Sequence, residues 1–124
     1  MYIIAFIPKA YLCSMNPVIF YCYDAYCGWC YGFSPVIKKI EAEYHNILHT
    51  EVLSGGMILP EKPVHIGSSA NYILNAYKTV EEYSGMEFGK DYLWHLENPD
   101  LSDWYPNSEK PAIAMCVFKE YYPE

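Results

Sequence analysis

The chain has no arginine. Its 8 basic residues are lysines set against 15 acids, leaving a net charge of −7 over 124 residues. Nucleic-acid binding draws on clustered Lys and Arg, so this balance argues against it. The bidentate phosphate clamp that guanidinium groups supply is also missing. An acidic surface of this kind serves solubility rather than partner choice.

Long apolar runs are lacking as well. No segment reaches the roughly 18 residues that a membrane-spanning helix needs, so no membrane partner is expected. Met1 to Leu12 is apolar, but Pro8 and Lys9 interrupt it. It has neither a basic start nor a small-residue cleavage site, and it does not read as a signal peptide. Leu12 before Cys13 argues equally against a lipoprotein site. Residues 1–14 read as an N-terminal extension, with disorder as one option and Met15 as an alternative start. The expected compartment is the cytoplasm. Repeats and low-complexity tracts are absent.

What the chain does have is apolar mass. Apolar residues make up 52%, enough for a packed core at the length of one domain. Its 14 tyrosines are read as core and composition rather than as a cofactor box. The five cysteines, Cys13, Cys22, Cys27, Cys30 and Cys116, are odd in number and irregular in spacing. That is not the framework of a small disulfide-stapled domain. Cys22 and Cys116 lie on apolar stretches and are expected in the core.

Residues 17–23 form an apolar and aromatic run typical of a strand covered on both faces. From Cys27 the period becomes helical, with Cys30, Phe33, Ile37, Ile40 and Tyr44 near one face, and the helix is expected to end near His45-Asn46. Residues 47–53 have strand length and alternation, closed by Ser54-Gly55-Gly56. Pro60 and Pro63 mark a loop. Ser68 or Ser69 is the expected cap of a helix running to Tyr83 and stopped at Ser84-Gly85. Residues 88–96 are strand-like or helical. A last helix is expected behind Ser108 as N-cap, burying Ile113, Met115, Cys116, Val117 and Tyr121.

Cys27-Gly28-Trp29-Cys30 stands where the first strand gives way to the first helix. Free backbone N–H groups and the helix dipole favour negative charge there, and the thiolate is the attacking species. Cys27 is the expected nucleophile. Cys30, almost a turn later, can close a small ring and release a mixed disulfide. Gly28 is expected to ease the bend, and Trp29 to offer apolar surface to a client. Asp24 reads equally as a proton relay for Cys30 or as a turn and capping residue. The competing reading of the pair is half of a zinc site. Structural zinc asks for four Cys or His ligands, and no second CxxC or paired-His motif is present, so no metal is expected. His65 and His95 have no partner pattern and read as surface or loop residues.

The run Asp24-Ala25-Tyr26-Cys27-Gly28-Trp29-Cys30-Tyr31-Gly32 resembles the active-site segment of the DsbA-like group of thioredoxin-fold oxidoreductases. It is nearest to the cytoplasmic, FrnE-like and predicted disulfide-isomerase branches. Those branches place an acid three residues before the first cysteine and often carry Trp-Cys-Tyr across the second. Pro35 matches the kinking proline common in such helices. The resemblance implies an α/β fold with a thioredoxin-like βαβ start over residues 15–56 and a helical insertion over residues 67–124. It also implies a cis-proline loop, two antiparallel strands and a final helix, for which no stretch here is a candidate. A domain truncated at its C-terminus is therefore expected over residues 15–124.

The implied activity is disulfide exchange or isomerisation through Cys27 and Cys30, with protein or small-thiol clients, an unidentified redox partner and no bound cofactor. Gly28-Trp29 differs from the Pro-His of the strongest oxidants, so the direction of electron flow stays open. Glutathione-dependent transferases and isomerases of the kappa type are an alternative, although they carry Ser where Cys27 stands. A third reading is a catalytically weak remnant acting as an association module, dimerising through an open sheet edge.

Overall fold

A computed structural model describes residues 17–122; the expectations for residues 1–14 lie outside that range. Strand β1 (Val18–Tyr23) is followed by helix α1 (Gly28–Tyr44) and strand β2 (His49–Ser54). The two strands pair in parallel, with Val18 opposite His49 and Tyr23 opposite Ser54. Parallel neighbours need a crossover, and α1 supplies it. The second strand begins two residues later than its alternation suggests. The N–H groups of Ile47 and Leu48 are spent on the Tyr44 carbonyl at the end of α1.

Three helices follow among the described residues: α2 (Gly67–Ser84), α3 (Lys90–Glu97) and α4 (Glu109–Tyr121), with a 3-10 turn at Pro99–Leu101 before α4. The fold is α/β, with a βαβ start and a helical region behind it. Gly85 ends α2 at φ 69°, a left-handed conformation that costs glycine least. Gly32 serves a different purpose. A Cβ there would stand 2.9 Å from Val80 Cγ1, so the missing side chain lets α1 and α2 approach closely.

Helix α1 continues through Pro35, which removes the N–H that would reach the Tyr31 carbonyl. The hydroxyl of Ser34 donates to that carbonyl instead, at 2.6 Å. The kinking residue and its remedy are adjacent in sequence.

The core sits among the helices. Ile66, Ala70 and Leu96 are buried together, with Ile73, Leu74, Tyr92, Leu93 and Trp104 packed around them. The sheet is thinner than the sequence suggests. Ile19, Tyr21 and Tyr23 are half-buried, but Val18, Phe20 and Cys22 face solvent, Phe20 at 66% exposure. An apolar run identifies a strand able to be covered on both faces; among the described residues only one face is covered.

Helix α4 carries the same correction. Ile113, Cys116, Val117 and Tyr121 are exposed rather than buried, and Met115 is half-buried. Its attachment to the sheet is polar. Lys119 donates to the Glu51 carboxylate and, at 2.9 Å, to the Val52 carbonyl. The Lys119 ammonium holds the Glu51 carboxyl below the usual carboxylate range, with His49 a lesser contributor.

The expected serine caps are also reassigned. At α2 the N–H of Gly67 is met by His65 Nδ1 at 3.2 Å, while Ser69 Oγ donates to the Ile66 carbonyl. Ser108 is the N-cap residue of α4 as expected, but its side chain makes no capping hydrogen bond. The Glu109 N–H is taken by Asn107 Oδ1 at 2.8 Å. His65 and His95 are not loose surface residues. His65 Nε2 lies 2.7 Å from the Ser102 carbonyl, and His95 Nδ1 lies 2.8 Å from Ser102 Oγ.

Candidate active site

The turn between β1 and α1 is built by Asp24. Its Oδ1 accepts the Tyr26 N–H at 2.9 Å, and its backbone carbonyl accepts the Cys27 N–H at 3.1 Å. Only 5% of Asp24 is exposed. A carboxylate that deep must be hydrogen-bonded. Besides Tyr26, the donors are the Met57 N–H at 2.8 Å and the Ser108 hydroxyl at 3.0 Å. Ser108, 1% exposed, accepts the Ile58 N–H in turn. One buried acid thus joins the turn, the loop after β2 and the start of α4. The turn role of Asp24 is visible in these bonds.

Cys27 is the N-cap of α1, with extended φ −87° and ψ 103°. Its Sγ accepts the Cys30 N–H at 3.3 Å, so the sulfur occupies the place of a capping oxygen. A negative sulfur there is met by a backbone dipole and by the positive end of the helix. Cys30 is different. Burial pushes its thiol up to about 11, the bond to the Cys27 side chain adding to the rise. The charges of Cys27 and Asp24 act in the same direction. The Cys30 backbone is held by Tyr21, whose hydroxyl donates to its carbonyl at 2.9 Å. Its Sγ lies 3.9 Å from the Cys22 carbonyl.

Gly28 is the first residue of α1 and does not need a left-handed φ; its contribution is close packing. A Cβ there would meet Phe88 Cζ at 3.3 Å. Trp29 is half exposed and meets Tyr83 edge-on, with centroids 6.3 Å apart. Cys22 and Cys116 are exposed, contrary to the expectation of core positions; Cys22 touches the pair only through its backbone carbonyl.

Beside Cys27 opens a cavity of about 290 Å³ between the start of α1 and the helical region. Tyr26, Trp29, Tyr77, Phe88, Tyr92 and Trp104 contribute most of its aromatic wall. The rings support one another: Phe88 and Tyr92 stack at 5.5 Å, and Trp104 meets both Tyr92 and Tyr26 at 5.7 Å. Sequence reasoning missed this cavity. Its walls come from residues 26 to 106, and no local period marks them as neighbours.

No family model matches the chain, and no curated protein matches it. Among solved structures it is similar to the crystal structure of a putative protein disulfide isomerase from Nitrosomonas europaea. The two superpose with a TM-score of 0.69 at 26% identity, over 88% of this chain. The match spans 48% of the Nitrosomonas chain, about half its length. The likeness supports a thioredoxin-like fold and, at a coarse level, thiol–disulfide chemistry.

Proposed function

We propose that this chain is a thiol–disulfide exchange unit of the DsbA-like group, in its FrnE-like or disulfide-isomerase branch, with Cys27 as nucleophile and Cys30 as resolving thiol. The observation that carries the reading is the Cys30 N–H directed at Cys27 Sγ from the first turn of α1. The half-length similarity to a protein described as a disulfide isomerase supports it.

The chemistry balances without a bound group. The Cys27 thiolate attacks one sulfur of a client disulfide, forming the mixed disulfide and expelling the other client sulfur as a thiolate. Cys30 then loses its proton and attacks Cys27 Sγ. The Cys27–Cys30 bond forms, the mixed disulfide breaks, and the second client sulfur leaves. The dithiol gives up two electrons and the client disulfide takes them; the reverse sequence oxidises a client. In the reduced pair the Cys30 thiol, pushed up to about 11 by burial and by the free Cys27 side chain, stays protonated at neutral pH. Asp24 fixes the turn that presents Cys27. Clients are disulfide-bearing proteins or small thiols, and the pair is recycled by a separate thiol system in the cytoplasm.

The test is a glutathione redox titration of the purified chain, with free thiols alkylated and each cysteine read by mass spectrometry. A reversible two-electron equilibrium confined to Cys27 and Cys30 is expected, and it disappears in Cys27→Ser. Exchange that survives intact in Cys27→Ser removes the reading.

A further inference from the structure

The two strands of the sheet do not present equal edges. The His49 and Gly55 N–H groups donate to the Pro17 and Tyr23 carbonyls, so the odd-numbered positions of β1 spend their backbone groups on β2. Pairing directions alternate along a strand, and the N–H and C=O groups of Val18, Phe20 and Cys22 therefore point to the other edge. Among the described residues no backbone group pairs with them, and the Cys22 carbonyl has only the Cys30 thiol at 3.9 Å. The usual protection of an edge is missing as well. Val18–Tyr23 holds no charged residue and no proline, and its register against β2 runs one to one without a bulge. The far edge of β2 is shut by contrast. Its outward Val52 carbonyl accepts the Lys119 ammonium at 2.9 Å, and the same ammonium holds the Glu51 carboxylate.

We infer that a second copy of this chain docks on β1, strand against strand, in a closed dimer with a continuous four-stranded sheet. The inference stands apart from the exchange reading. Its first support is self-match. The three outward residues are evenly spaced about Phe20, so an antiparallel copy related by a two-fold axis sets Phe20 against the partner's Phe20 and Val18 against the partner's Cys22. Every outward N–H and C=O of both strands then has a partner. The second support is charge. Each copy carries −7, yet β1 has no charged residue, so no like charges meet along the paired strands. The third is the shut edge. With Lys119 across β2, a β1 edge cannot add to the β2 edge of the next copy, and assembly closes at two rather than growing.

The dimer is weak by size. A strand of six residues is about 20 Å long, and its edge falls short of the roughly 800 Å² per partner that a tight complex buries. A Kd of about 1–100 µM is expected. Screening of the two negative copies should tighten it as salt rises.

The measurement is sedimentation equilibrium of the full chain, kept reduced so that no exposed cysteine cross-links it, over about 1–500 µM. Amide exchange is read by NMR at both ends of that range. A monomer–dimer equilibrium is expected, in which the Val18, Phe20 and Cys22 amides slow several-fold with concentration while those of Ile19 and Tyr21 do not change. Phe20→Lys sets two ammonium groups against each other at the axis and should weaken association at least about tenfold. Its fold should hold, because Phe20 is 66% exposed and stands opposite Glu51 in the sheet. Should that variant fail to fold, the amide pattern of the unaltered chain decides alone. A monomer at every concentration would overturn the inference. So would a dimer that leaves the three amides unchanged, a dimer that weakens with salt, or amides already protected in the monomer, which would mean that the chain covers its own edge.

Discussion

The hydroxyl of Ser108 donates to Asp24 Oδ1 at 3.0 Å across 84 positions of sequence, and both residues are buried. This bond ties the start of α4 to the turn that presents Cys27. Ser108 also receives the Ile58 N–H, so its removal orphans that donor and takes one of the three donors from the buried Asp24 carboxylate. Ser108→Ala is expected to lower stability by about 1.5–3 kcal/mol, the range for a hydrogen bond to a charged group. A urea melt checks it. A change smaller than about 0.5 kcal/mol, the size of an ordinary surface substitution, would mean that water or a neighbour replaces the hydroxyl without loss.

Cys30 sets a pH dependence. Its thiol, pushed up to about 11, should resist alkylation until the pH approaches that value, whereas an unperturbed cysteine titrates near about 8.5. Burial is the first cause and the Cys27 side-chain bond the second, so Cys27→Ala should lower the midpoint. The sign for stability follows from proton counting. Between the unfolded value and about 11 the folded chain keeps a proton that the unfolded chain has released, so folding weakens as pH rises through that window. Site-resolved alkylation against pH measures the midpoint. A Cys30 midpoint near the ordinary value would show that burial does not act on this thiol.

Ser34 and Pro35 should behave as a coupled pair. Ser34→Ala leaves the Tyr31 carbonyl without its donor and is expected to cost about 1 kcal/mol. In a Pro35→Ala background the restored backbone N–H can reach that carbonyl, and the same change should cost much less. A double-mutant cycle by thermal or urea unfolding reads the difference, with coupling of about 0.5 kcal/mol or more expected. Additive losses would place the role of Ser34 elsewhere.

The legible parts of the fold were those encoded locally. The change of period at Cys27 marks the start of α1, and Gly85 marks the end of α2, because helix limits are written in the residues beside them. Ser108 looked like a cap for the same local reason. Its hydroxyl goes instead to Asp24, a partner that no window of sequence contains. His65 and His95 have a similar history: both are held by Ser102, which lies 37 and 7 positions away. Cys22 and Cys116 were placed in the core because their neighbours are apolar. Periodicity says which face of an element is greasy, and it does not say whether anything lies against that face. The cavity beside Cys27 was illegible throughout, since five separated stretches of chain build its wall.

The sulfur and the cavity are carried by different parts of the chain. The βαβ segment holds Cys27 and Cys30; most of the aromatic wall belongs to α2, α3 and the loops beside them. They meet at the Asp24–Ser108 bond, at the close approach of Gly32 to Val80, and at the ring contacts of Tyr26 with Trp104 and Trp29 with Tyr83. Most positions of the aromatic wall are therefore open to substitution without touching the residues that place the two sulfurs, and the cavity can change shape while the turn that presents Cys27 stays as it is.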